Sequence, residues 1–123
     1  MIIGIGCDCI EIERFRKGVE RTKGALLTRL FTPSEIALCQ LHADPMFRYA
    51  GRFVAKEALS KALGCGIGSQ LSWHDMEILN DERGKPVVHW KVDVANRFGV
   101  EYTHLSISHS HTIAMAYATL EGP

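Results

Sequence analysis

Between Phe47 and Ala62, apolar and small residues recur every three or four positions: Phe47, Ala50, Gly51, Val54, Ala58 and Ala62. That spacing predicts one amphipathic helix with a small, close-packing face. Asp44-Pro45 offers an N-cap followed by a proline at the first helical position, and Gly64 offers the left-handed stop, with Gly66 and Gly68 beyond it. Upstream, Met1 to Ile10 is rich in isoleucine and reads as a strand. Gly4, Gly6 and Asp8 share one face of that strand, while Cys7 and Cys9 share the other. A glycine face admits either a ligand or a crossing helix or subunit, and the residues alone leave both open.

Glu11 to Arg21 has helical periodicity, with Ile12, Phe15 and Val19 on one stripe and Arg14, Lys17 and Arg21 on another. Thr22-Lys23-Gly24 breaks this helix, and Ala25 to Leu30 forms a short apolar turn or two. Thr32-Pro33-Ser34-Glu35 is a capping box with proline at N1, predicting a helix to about Leu41. Leu71 to His74 carries no clear period. Met76–Leu79 and Pro86–Trp90 flank an Asp81–Gly84 turn and predict a hairpin, and Val92 to Phe98 is a short helix closed by Gly99. Glu101 to Thr119 alternates, turns at Ser110–Thr112 and alternates again, a second antiparallel hairpin. Helices early and hairpins late predict an α+β fold, an antiparallel sheet packed on the long central helix.

The chain's 123 residues, 46% of them apolar, predict a single domain spanning 1–123. Its 14 basic and 14 acidic side chains cancel, which argues against indiscriminate nucleic-acid binding while leaving local patches open. No apolar run approaches the roughly 20 residues of a membrane span, and no secretion signal opens the sequence, so a cytoplasmic protein is expected. Cys7, Cys9, Cys39 and Cys65 lack paired CxxC spacing. They read as small apolar residues of a reducing compartment; zinc held by Cys7, Cys9 and scattered histidines is the alternative.

Glu57, Lys61 and Gly64 fall on one stripe of the central helix. A carboxylate, an ammonium and a glycine-rich helix end on one face suggest a place for a metal ion and phosphate groups. Arg48 and Arg52 extend the helix's polar side upstream of Lys56 and Glu57. The Arg14/Lys17/Arg21 ridge is either a solvated face or a docking surface for an acidic partner.

The segment from Gly4 to Phe15 has the form G-x-G-x-D-x-x-E-I-x-R-F, Phe53 to Gly64 has the form F-x-x-K-E-A…K-A-L-G, and Ser106-Ile107-Ser108-His109 ends a strand. Together with Gly84-Lys85-Pro86 before a strand, these stretches resemble the holo-[acyl-carrier-protein] synthases, small phosphopantetheinyl transferases of bacterial fatty acid synthesis. The resemblance covers essentially the whole chain in order. It implies transfer of the 4′-phosphopantetheine arm of coenzyme A to a serine of apo acyl carrier protein, releasing adenosine 3′,5′-bisphosphate. The family's Mg²⁺ ligands map onto Asp8 and Glu57, and Lys61 matches the lysine near the reacting phosphate. Magnesium's preference for one or two carboxylates plus phosphate oxygens suits that pair.

By the same resemblance, Gly64 and Gly66 pass close to the coenzyme, and Arg48, Arg52 and Lys56 serve its 3′-phosphate and adenine side. His109 and Ser110 reach its phosphates from a neighbouring subunit, because the family forms homotrimers with interfacial sites. Arg14 and Arg21, assisted by Lys17, dock the acidic carrier protein, although Gly18 and Gly24 replace larger or basic family residues. Cys7, Cys9 and Cys65 also depart from the commoner choices and suggest sensitivity to oxidation. The proton of the carrier serine passes to Glu57, Asp8 or a water on the metal. Two rival readings use the same residues: a metal-dependent pyrophosphate or nucleotide hydrolase, and a non-catalytic oligomeric binding module.

Overall fold

Asp44 Oδ1 accepts the Met46 amide at 3.1 Å, which starts helix α4 (Met46–Leu63), and Gly64 closes that helix at φ 81°. The structure is a computed structural model that describes residues 1–123. Strand β1 (Ile2–Glu11) crosses α4 at close range. A Cβ on Gly6 would collide with the Ala58 carbonyl oxygen, and one on Gly4 with that of Ala62. The crossing helix, and not a ligand, therefore accounts for this glycine face.

After β1 come helices α1 (Ile12–Arg21), α2 (Ala25–Leu30) and α3 (Pro33–Cys39), which lead into α4. The predicted box at Thr32 is present, with Glu35 bonded back to the Thr32 amide, but α3 ends at Cys39 and Gln40 caps it, two residues short of Leu41. Beyond α4, a 3₁₀ turn at Trp73–Asp75 fills the stretch without a period; Ser72 and Asp75 cap it reciprocally. Then follow β2 (Met76–Asn80), β3 (Pro86–Trp90), α5 (Val94–Phe98), β4 (Tyr102–His109) and β5 (Ile113–Glu121).

β2 and β3 pair as the expected hairpin. The β4–β5 hairpin recruits β1, giving an antiparallel three-stranded sheet in the order β1-β5-β4. In register, Gly6, Ala118 and Leu105 form one row and Asp8, Ala116 and Ile107 the next. These rows face α4, and the small residues let helix and sheet close on each other. The fold is α+β, an antiparallel sheet on a long helix, as the periodicities imply.

The core is one cluster of 22 buried residues between α4, the sheet and the first three helices. Phe15, Phe31, Phe53, Tyr49 and Trp73 chain through it, with ring centroids 5.2–6.5 Å apart. The sheet's other face is bare. Ile3, Ile5, Cys7 and Cys9 of β1 lie beside Ile113, Met115 and Tyr117 of β5, all of them exposed. No helix is long and apolar enough to cross a membrane.

Candidate active site

The close crossing of β1 and α4 decides which side chains meet. Asp8 lies two residues beyond Gly6, and Glu57 and Lys61 adjoin the contact residues Ala58 and Ala62. Lys61 Nζ donates to Asp8 Oδ1 at 3.2 Å and to the Cys7 carbonyl at 3.0 Å. The Asp8 side chain retains 23% of its accessible surface and that of Lys61 52%, so the cluster opens to solvent. Glu57 is half-buried. Burial, and then the neighbouring Asp8 charge, raise its pKa, with Lys61 partly opposing; the bond to Asp8 raises that of Lys61.

Such a pair is short of positive charge. No group of three or more His, Cys, Asp or Glu side chains converges anywhere in the chain. A cation held by Asp8 and Glu57 would leave most of its shell to phosphate oxygens and waters, which is how Mg²⁺ is commonly bound. The hard-oxygen donor set and the raised Glu57 pKa both fit a divalent ion there.

Arg48 and Arg52 lie elsewhere. Each is about two and a half helical turns from Glu57 and Lys61 respectively, so the two pairs occupy opposite sides of α4. The arginines share a cavity with Phe47, Asn80, Pro86 and His109. Arg52 is largely buried and oriented by the Ile78 carbonyl at 3.0 Å and Asn80 Oδ1 at 3.2 Å. His109 packs on Phe47 with centroids 5.3 Å apart, and Ser110 Oγ accepts the Thr112 and Ile113 amides of its own turn. One chain thus brings Asp8, Glu57 and Lys61 together, and separately Arg48, Arg52 and His109.

Lys56 corrects the sequence reading. It does not reach a coenzyme surface: its side chain is fully buried, and Nζ donates to Glu35 Oε1 at 2.7 Å, the Leu30 carbonyl at 2.8 Å and the Trp73 carbonyl at 2.9 Å. All its protons are engaged. Burial lowers its pKa and Glu35 opposes the shift. Glu35 in turn accepts the Thr32 and Ile78 amides.

Gly64 and Gly66 flank the helix end with positive φ, but their amides bond to the Lys61 and Ser60 carbonyls. They offer a path free of side chains rather than free donors. Arg14, Lys17 and Arg21 are exposed along α1. Arg16 makes the ion pairs of that helix, to Asp44 at 2.8 Å and Glu13 at 3.4 Å.

Residues 4–118 match the family model described as the 4′-phosphopantetheinyl transferase superfamily. The chain belongs to that family. It is 46% identical to the holo-[acyl-carrier-protein] synthase of Desulforudis audaxviator, over 100% of this chain and 95% of the relative. It is 40% identical to that of Koribacter versatilis, over 98% and 99%. Its structure resembles Helicobacter pylori holo-[acyl-carrier-protein] synthase in complex with coenzyme A, with TM-score 0.87, 35% identity, and coverage of 95% and 99%.

In this phosphopantetheinyl transferase, Glu35 and Asn80 orient Lys56 and Arg52 without a local pattern that marks them for it. Glu35 showed only its capping role, because its partner Lys56 is 21 residues away. Asn80 carried one signal, its place just before the Asp81–Gly84 turn.

Proposed function

We propose that this protein is a holo-[acyl-carrier-protein] synthase. It transfers the 4′-phosphopantetheine arm of coenzyme A to a serine of apo acyl carrier protein, releases adenosine 3′,5′-bisphosphate and serves fatty acid synthesis. The observation that carries the reading is the meeting of Asp8, Glu57 and Lys61 at the β1–α4 crossing, in a chain of this family.

Asp8 and Glu57 hold Mg²⁺, which when bound supplies charge neutralisation at the pyrophosphate. Lys61 turns its ammonium from Asp8 toward a phosphate oxygen, where a point charge suits. Glu57, or a water beside it, takes the serine proton. Gly64 and Gly66 leave room for the pantetheine arm, and the Arg48/Arg52 cavity with His109 and Ser110 takes the nucleotide phosphates. Arg14, Lys17 and Arg21 receive the acidic carrier protein.

The working unit is a homotrimer of this single transferase domain. Two features support it: the bare apolar face of Ile3, Ile5, Met115 and Tyr117, and the separation of the arginine cavity from the carboxylates within one chain. Each coenzyme site then joins the carboxylates of one subunit to the arginine cavity of the next. The free thiols support a reducing, cytoplasmic setting.

Mixing subunits tests this arrangement. Glu57→Gln and Arg48→Ala, each inactive alone, regain turnover when mixed under subunit exchange, because some interfaces then combine two intact halves. Absence of any recovery in proven mixed oligomers contradicts a shared site.

A further inference from the structure

The loop after α4 runs through Gly64, Gly66 and Gly68 before the chain re-enters the core at Leu71. Its near end is fixed by the helix cap, where Gly64 and Gly66 bond to Lys61 and Ser60. Its far end is Trp73, whose carbonyl accepts Lys56 Nζ at 2.9 Å. That part-buried bond acts beside the stacking of Trp73 on Phe53, ring centroids 5.5 Å apart, and the reciprocal Ser72–Asp75 cap; the neighbouring His74–Thr28 bond is exposed. Between the two anchors lie Gly68 bonded within the loop and Gln70, whose carbonyl meets Arg97 at the surface.

Lys56 is itself held rigidly. Glu35 balances its charge, and Glu35 is fixed by the Thr32 and Ile78 amides. Seating α4 on the sheet does not need Lys56, because the Gly4–Ala62 and Gly6–Ala58 crossings already set which side of the helix meets β1. Lys56 adds the connection from α4 to Leu30, Glu35 and Trp73, segments remote in sequence.

We propose that Lys56 is a positioning residue for the coenzyme. Its buried ammonium fixes the Trp73 end of the Gly64–Ser72 loop, so that the glycines are held ready along the pantetheine path. This rests on the function proposed above, from which the coenzyme and its path are taken, while the exchange measurement below stands without it. Lys56 touches neither substrate nor metal. Its loss raises the entropic cost of ordering the loop when coenzyme binds, which weakens binding more than it slows the chemical step.

The test compares the wild type with Lys56→Met and with the double variant Lys56→Met/Glu35→Gln. The double variant removes both buried charges, and its new amide oxygen still accepts a backbone amide from Thr32 or Ile78, so it gives a folded control where the single variant leaves Glu35 unpaired. Amide hydrogen exchange on the intact protein is expected to speed up in residues 64–73 of both variants, while β1 and β5 stay as protected as in the wild type. The KM for coenzyme A is expected to rise about tenfold or more, the scale of one hydrogen bond to a charged group, with kcat reduced less than KM rises. Wild-type exchange in 64–73 in the folded double variant overturns the proposal, as does a lowered kcat at unchanged KM. The exchange readout requires no coenzyme, so it separates this claim from the proposed reaction.

Discussion

Replacing Gly6 with alanine tests the contact on which the site depends. The added methyl would stand against the Ala58 carbonyl oxygen, 2.8 Å from the Ala62 nitrogen and 3.0 Å from the Ala58 carbonyl carbon. These are backbone atoms of a helix, so no side-chain rotation relieves the overlap. A normal carbon–oxygen approach is about 3.3 Å or more, which requires α4 to back away from β1 by on the order of 1 Å. Overpacking of this kind costs about 1–3 kcal/mol, and a rigid neighbour puts Gly6→Ala near the upper end. That is a large fraction of the roughly 5–15 kcal/mol that holds a domain together. The displacement also separates Asp8 from Glu57 and Lys61, and a misplacement of about 1 Å can lower a rate by about 10²-fold. Urea unfolding at fixed protein concentration reads the first effect. Turnover well below the melting temperature reads the second. A Gly6→Ala variant within about 0.5 kcal/mol of wild type, with wild-type turnover, would refute the reasoning.

Four other outcomes are expected. Gly18 lies inside α1 with Leu26 Cδ2 at an ordinary 3.5 Å from a built Cβ, so Gly18→Ala should stabilise by about 0.5–1 kcal/mol in the same unfolding assay. Lys56→Met should cost about 3–5 kcal/mol, because it strands the buried Glu35 carboxylate, and adding Glu35→Gln should recover part of that loss, since it removes the charge and keeps an acceptor for a backbone amide. Glu57 has a raised pKa in the folded protein, so its contribution to stability is present below its unfolded pKa and is lost as pH rises through the folded value. Without metal, a pH series of melting curves should show this decline in wild type and a shallower one in Glu57→Gln, which should also be the more stable near neutrality. Added Mg²⁺ should raise the wild-type melting temperature and leave that of Glu57→Gln almost unchanged.

Local signals in the sequence were enough for the elements. The Thr32 cap, the Gly64 stop and the two late hairpins each depend on residues a few positions apart, and each is present; at α4 Pro45 takes the cap position, and Asp44, one residue earlier, accepts the Met46 amide. The pairing of β1 with β5 joins opposite ends of the chain, and no local pattern encodes it. The same limit explains Lys56. Four residues after Arg52, it continues an arginine stripe on paper, but α2, α3 and the Trp73 turn close over it from distant parts of the chain. Asp8, Glu57 and Lys61 were legible as chemical types on faces. Their meeting required the glycine crossing, which the strand pattern left open between ligand and helix. The opposition of Arg48 to Glu57 was already contained in their spacing along one helix.

The most direct measurement is the intact mass of an apo acyl carrier protein incubated with this protein, coenzyme A and Mg²⁺. The expected result is a gain of one phosphopantetheine, abolished by a chelator, by Asp8→Asn and by Glu57→Gln in variants that remain folded. A carrier mass unchanged while coenzyme A is hydrolysed would contradict the transfer reaction. A full gain with both carboxylates replaced would contradict the site.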